Sequence, residues 1–210
     1  MKSKEPLFPY QNLFITARPG MGATTLATNI ISKYLDEGKK CLAFENQDSF
    51  YTNYIERIKA IRENININIR PYFKKYGNLT ITYHYLFSPD RVLSDIAKHG
   101  ADVIVYEDPY YLKDQSKKLI KLAKELRRMG KIFIFVTHIK RRYYPFTHTQ
   151  KTTLSISRYR KAIPYFDVSA IFWGVCYDEP KEIRIYEQGK KKYRTVTVEF
   201  DFQHQRIKLE

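Results

Sequence analysis

Short, nearly continuous apolar runs alternate with amphipathic stretches along most of this chain. The runs at 12–16, 40–44, 79–83, 103–106 and 132–136 hold too few polar positions for a sheet with one wet face. They predict parallel strands covered on both sides. Between them, apolar residues fall at helical spacing over 24–37, 49–63, 89–99 and 115–129. Three of these stretches run into Gly38, Gly100 and Gly130, the C-terminal signal expected of a helix. In the last stretch Leu119, Ile120, Leu122, Ala123 and Leu126 form one apolar stripe, while Lys117, Lys118, Lys121, Lys124 and Arg128 take much of the remaining surface.

After Phe166 the rhythm changes. Runs at 170–175, 182–187, 195–201 and 205–209 predict successive strands, with 188–192 as a hairpin turn around Gly189. The pattern predicts an α/β class: a mostly parallel, doubly wound sheet finished by a C-terminal antiparallel β-meander. Residues 1–11 are expected to be a short N-terminal extension and 12–210 a single domain. The Asn-Ile alternation over 63–69 is too short for a repeat and fits either an extended excursion or part of a longer connection.

Composition narrows the class. Hydrophobic residues make up 43% of the 210 and aromatics 15%, as in a folded globule and unlike a disordered chain. No apolar run approaches the roughly 18 residues that a membrane helix needs, and Met1 to Pro6 lack the apolar core of a signal peptide. Cys41 and Cys176 both sit in apolar runs, which predicts buried free thiols and a cytoplasmic location. Lys and Arg number 37 against 22 Asp and Glu, a formal charge of +15. Such a field attracts polyanions, and 18 tyrosines offer faces on which bases stack. A basic protein kept soluble by its charge is the alternative.

One run carries candidate chemistry. Between an apolar run and a helical stretch stands Ala17-Arg18-Pro19-Gly20-Met21-Gly22-Ala23-Thr24-Thr25. Glycines 20 and 22 allow a tight turn that points successive amides and a helix N-terminus at phosphate. Thr24 stands where a P-loop hydroxyl ligates Mg²⁺, and Gly20, Met21, Gly22, Thr24 and Thr25 are the candidate nucleotide-binding residues. An ordinary strand–glycine turn–helix junction is the plainer alternative.

The stretch from Phe14 to Thr25, with its Arg-Pro-x-Met-Gly kernel, resembles the Walker A segment of DnaB-type hexameric replicative helicases, members of the RecA-like family. The similarity continues in order. The run at 42–44 and the helix after it resemble the family's second core strand, and Val103-Ile104-Val105-Tyr106-Glu107-Asp108 resembles its Walker B strand. Phe135 to Lys140 resembles the strand bearing the γ-phosphate sensor, here His138, and 183–200 resembles the closing hairpin. The resemblance implies a RecA-like P-loop fold and ATP with Mg²⁺ as cofactor, the metal held by Thr24 and Glu107.

Carried over position by position, however, the family's chemistry has gaps. Ala23 stands where the phosphate-binding lysine belongs, and Gln47 falls at the position of the catalytic glutamate; a carboxamide cannot accept a proton from water. Glu45 or Asp48 could substitute if the loop is shifted. Glu107, with Asp108 beside it, could hold metal through water or be one of two solvated carboxylates. Glu187-Gln188-Gly189 replaces the Lys-x-Arg pair that the family presents to a neighbouring subunit. His138 is either a sensor or a structural residue at a strand end. These losses imply that no cofactor is required.

The basic, aromatic segment Lys140, Arg141, Arg142, Tyr143, Tyr144, Arg158, Tyr159, Arg160 and Lys161 follows the sensor strand, where the family's DNA-lining loops lie. The expected partners are single-stranded DNA and a replicative helicase or related replication or recombination protein, with no membrane. Only about ten residues precede the first strand, too few for the N-terminal domain and docking helix of the family, so a closed self-hexamer is not expected. The expectation is a catalytically degenerate helicase-like protein of a phage or mobile element that acts by binding. A working ATPase with displaced groups, serving as a DNA helicase, annealing factor or helicase loader, is the alternative.

Overall fold

A computed structural model describes residues 12–17, 21–45, 54–63, 75–83, 87–108, 116–138, 161–173, 181–190, 192–201 and 206–209. The apolar runs form β1 (Asn12–Ala17), β2 (Cys41–Glu45), β4 (Leu79–Tyr83), β5 (Val103–Asp108) and β6 (Ile132–His138). A short β3 (Lys75–Tyr76), which the hydrophobic pattern does not reveal, pairs antiparallel with β4. The helices are α1 (Ala23–Asp36), α2 (Tyr54–Glu63), α3 (Pro89–His99) and α4 (Ser116–Arg128). Helix α2 starts at Tyr54, later than the spacing predicts, and 49–53 lie outside the described residues.

All ten strands join one sheet in the order β10-β9-β8-β7-β1-β6-β5-β2-β4-β3, where β7 is Val168–Trp173, β8 is Lys181–Glu187, β9 is Arg194–Asp201 and β10 is Arg206–Leu209. The strands from β7 through β4 pair parallel, whereas β7–β8, β8–β9 and β9–β10 pair antiparallel. The expected doubly wound core with a C-terminal meander is therefore the architecture found.

Burial explains why the central strands carry so few polar residues. Leu13, Ile15 and Ala17 of β1 face one core with Leu26, Ala27 and Ile31 of α1 and Ile55 and Ile58 of α2. Phe14 faces the other, formed with Val92 and Ile96 of α3 and Leu119, Leu122 and Leu126 of α4. Alternate residues of one strand thus enter different cores, so every position must be apolar or hydrogen-bonded. The second core is floored by rings: Phe14, Tyr106, Phe133, Phe135 and Phe166 contact one another in stacked, tilted and edge arrangements. Cys41 is a buried free thiol at the start of β2, and Cys176 lies outside the described residues.

This layout brings the carboxyl ends of β1, β6 and β5 side by side, with α1 starting directly over them. Register aligns Ala17 with His138, and Asp108 with Thr137. In open α/β sheets such adjacent carboxyl ends are where ligand sites form.

Candidate functional site

Helix α1 opens from Gly22, which takes a left-handed conformation with φ +95° and accepts the first helical hydrogen bond from Leu26 N–H at 2.8 Å. A side chain at this position would be strained by the backbone alone. It would also overlap the ring of Phe200 from β9, which lies against Gly22. Phe200 is seated in turn on Phe172 of β7, ring centroids 6.0 Å apart. The C-terminal meander thereby reaches back and covers the start of α1. Met21 and Ala23 beside Gly22 are buried in the first core, Ala23 only 1% exposed. The position that resembles a phosphate-binding lysine is thus an apolar packing position.

Beneath the loop lies a buried hydrogen-bonded cluster. Glu107, at the end of β5, receives the Thr24 hydroxyl at 2.9 Å and makes a 2.8 Å hydrogen bond with His138 Nε2, both on Oε1. Its Oε2 accepts the Tyr54 hydroxyl at 2.8 Å. Glu45, at the end of β2, accepts the backbone N–H of Tyr54 at 2.8 Å. One tyrosine at the start of α2 thereby ties together the ends of β2 and β5.

The electrostatics differ sharply between the two glutamates. Burial alone would push Glu107 up, but the hydrogen bond and charge of His138, with the hydroxyls of Tyr54 and Thr24, hold its carboxyl below the usual range. Burial pushes Glu45 up to about 8; the Tyr54 amide opposes that shift and the charge of Glu107 adds to it. Burial, then the charge of Glu107, pushes the Tyr54 phenol well above its ordinary value, so it remains a donor. Arg57 on α2 is the cation facing this group, its own pKa lowered by burial against the attraction of Glu107, Tyr54 and Glu45. On the other face of β5, buried Asp108 accepts a long hydrogen bond from Thr137 at 3.4 Å.

Of the residues expected to make the site, Met21, Gly22, Ala23, Thr24, Thr25, Glu107 and His138 are described and converge on one corner. Thr24, Glu107 and His138 touch, while Thr25 is buried in the first turn, where its carbonyl accepts Thr28 and Asn29 side chains. Gly20, Gln47 and Asp48 lie outside the described residues, as do Lys140, Arg141, Arg142, Tyr143, Tyr144, Arg158, Tyr159 and Arg160; Lys161 is described and exposed. Tyr54 and Phe200 were not legible in the sequence. Each is an aromatic in an amphipathic stretch, indistinguishable there from core. At the hairpin, Glu187 pairs with Lys190 and Arg194, so these cations are engaged within their own turn. Among the described residues no three His, Cys, Asp or Glu side chains group as a metal site, and no described helix is long and apolar enough to cross a membrane.

No protein-family model and no curated protein sequence matches the chain. Solved structures do. An isolated ATPase domain of a DnaB-like helicase superposes with TM-score 0.70 at 14% identity, over 94% of this chain and 84% of that one. A KaiC-like protein from the hyperthermophilic archaeon Pyrococcus horikoshii gives 0.63 at 16% identity, covering 97% and 91%. A DnaB-like replicative helicase solved with regard to its interactions with primase gives 0.65 at 14% identity, over 94% of this chain but 57% of the helicase, so the chain spans little more than half of that protein. At these identities the shared property is the fold, and this chain has the RecA-like ATPase fold found in DnaB-like helicases and KaiC-like proteins.

Proposed function

We propose that this protein is a catalytically degenerate, helicase-like RecA-fold protein that acts by binding single-stranded DNA, a replicative helicase, or both, in DNA replication or recombination. The observation that carries the proposal is the closed cluster around Glu107. Three protein donors, from Thr24, Tyr54 and His138, engage the carboxylate that would face a metal. The hydroxyl that would ligate Mg²⁺ is the one spent on it. Ala23 brings no cation to the transferring phosphoryl group, and the Phe200 ring packs on Gly22 at the mouth of the helix. These residues fit a Mg²⁺–nucleotide poorly, and the interactions that usually neutralise such a carboxylate are replaced from within. With turnover gone, the +15 charge is the remaining functional asset, drawing the chain to polyanions.

The test is ATP hydrolysis by the purified chain with and without single-stranded DNA. The expected result is no DNA-stimulated turnover, either by the wild type or by Ala23→Lys, because a restored lysine still meets Phe200 and an occupied Glu107. Steady turnover by the wild type would sink the proposal. One observation favours a second reading, a working ATPase with displaced groups. Glu45 sits buried at the end of β2, its pKa raised to about 8, where a proton acceptor would be useful. On that reading, Glu45→Gln abolishes whatever hydrolysis the wild type shows.

A further inference from the structure

The β8–β9 hairpin exposes what the rest of the described fold hides. Tyr186 and Tyr193 are 37% and 44% exposed, whereas Tyr54 and Tyr106 are buried. Register pairs Ile185 with Arg194, so the next rung sets Tyr186 across from Tyr193. Their ring centroids are 5.2 Å apart with planes tilted by 43°. Arg184, two residues from Tyr186 and on the same strand face, holds its guanidinium 4.9 Å above the Tyr193 ring. The alternate positions Ile183, Ile185, Val196 and Val198 point into the core, so the rings and the guanidinium stand on the outer face of the meander.

Two adjacent solvent-facing rings leave apolar area in water that folding has not covered. Their surroundings indicate what could cover it. Lys190, Lys192 and Arg194 lie at the turn, and Glu187 beside them is already paired with Lys190 and Arg194. The outward acids Glu182 and Glu199 sit farther along the strands, away from the rings. Positive charge selects a polyanion, and open ring faces select one whose bases are unpaired. A duplex hides those faces within its own stack.

We propose that Tyr186 and Tyr193, backed by Arg184, form a stacking platform for the bases of single-stranded nucleic acid, whose phosphates run past Lys190 and Lys192. This assignment rests on the reading that the chain binds single-stranded DNA, and locates a contact on a hairpin rather than in the segment after the sensor strand. Fluorescence anisotropy with labelled oligo-dT, and with the corresponding duplex, tests it on the intact chain. The double variant Tyr186→Ala/Tyr193→Ala is expected to lose about tenfold or more in single-strand affinity, with duplex affinity little changed. Tyr186→Phe/Tyr193→Phe keeps the ring faces and is expected to bind as wild type, which separates stacking from misfolding. Photocrosslinking with iodouracil-substituted DNA should place adducts within 184–193. An alanine variant that binds like wild type, or adducts only elsewhere, overturns the platform while leaving single-strand binding intact. A wild type that does not bind single strands removes the underlying reading as well.

Discussion

At the scale of single residues, the site depends on two glutamates that share Tyr54 and experience opposite environments. Glu107 is surrounded by donors and stays ionised; Glu45 has one amide, the facing charge of Glu107, and Arg57 to offset burial. This difference sets a pH dependence of stability. A carboxyl lifted from 4.5 to about 8 retains a proton in the fold that the unfolded chain releases across that window. The folded state then binds more protons than the unfolded, so stability falls as pH rises from about 4.5 to 8 and levels off above it. Glu107 works the other way: its contribution is present above the ordinary carboxylate pKa and is lost as pH falls through its lowered value. Denaturant midpoints measured at pH 5 and pH 8 should show wild type weaker at pH 8, and Glu45→Gln should flatten that difference. An unchanged slope in the variant would place the titration on another group.

At the scale of elements, the informative contact joins the first turn of α1 to β9. Gly22 is needed twice over, for its left-handed backbone and for the Phe200 ring against it. Gly22→Ala carries a backbone cost of about 1–2 kcal/mol and a steric cost that depends on whether the ring can retreat. Phe200→Ala opens the space and removes the second cost only. In a double-mutant cycle read by urea denaturation, the pair should therefore couple by about 0.5–3 kcal/mol, the double variant being more stable than the sum of single effects allows. Additive effects would mean that the ring does not constrain the loop. The elements themselves were legible from spacing: the span 89–99 and the glycine stops of α1, α3 and α4 follow from local periodicity and capping. Strand β3 escaped because two residues are too few to show a period, and the start of α2 because the residues before it share its polar composition.

At the scale of the whole molecule, the excess of 15 positive charges acts as a field rather than as a set of contacts. Single-strand binding should weaken steeply with salt, because each phosphate neutralised releases condensed counterions. A log–log slope steeper than about −2 is expected if three or more phosphates are engaged. Anisotropy titrations across a salt series measure it, and a slope near zero would mean that charge does not drive the association. The tyrosine variants should lower affinity without changing this slope, since stacking releases no counterions. Charge and stacking are therefore separable in one set of titrations.

The sequence by itself determined the layers: which segments are strands covered on both faces, which are amphipathic helices, where the helices stop, and that the Gly22–Thr24 turn lacks its cation. Those properties are written in neighbouring residues, and backbone sterics with local burial read them directly. Only the tertiary structure decided which distant residues meet. Thr24, Tyr54, Glu107 and His138 come together because β5 and β6 lie beside β1 and because α2 begins over the end of β2. Phe200 reaches Gly22 because the meander folds back over α1. The pattern of a single strand specifies what must be buried, not which partner buries it. That choice is made by packing across the sheet, where Ala23 becomes core and Glu107 becomes the centre of a closed cluster.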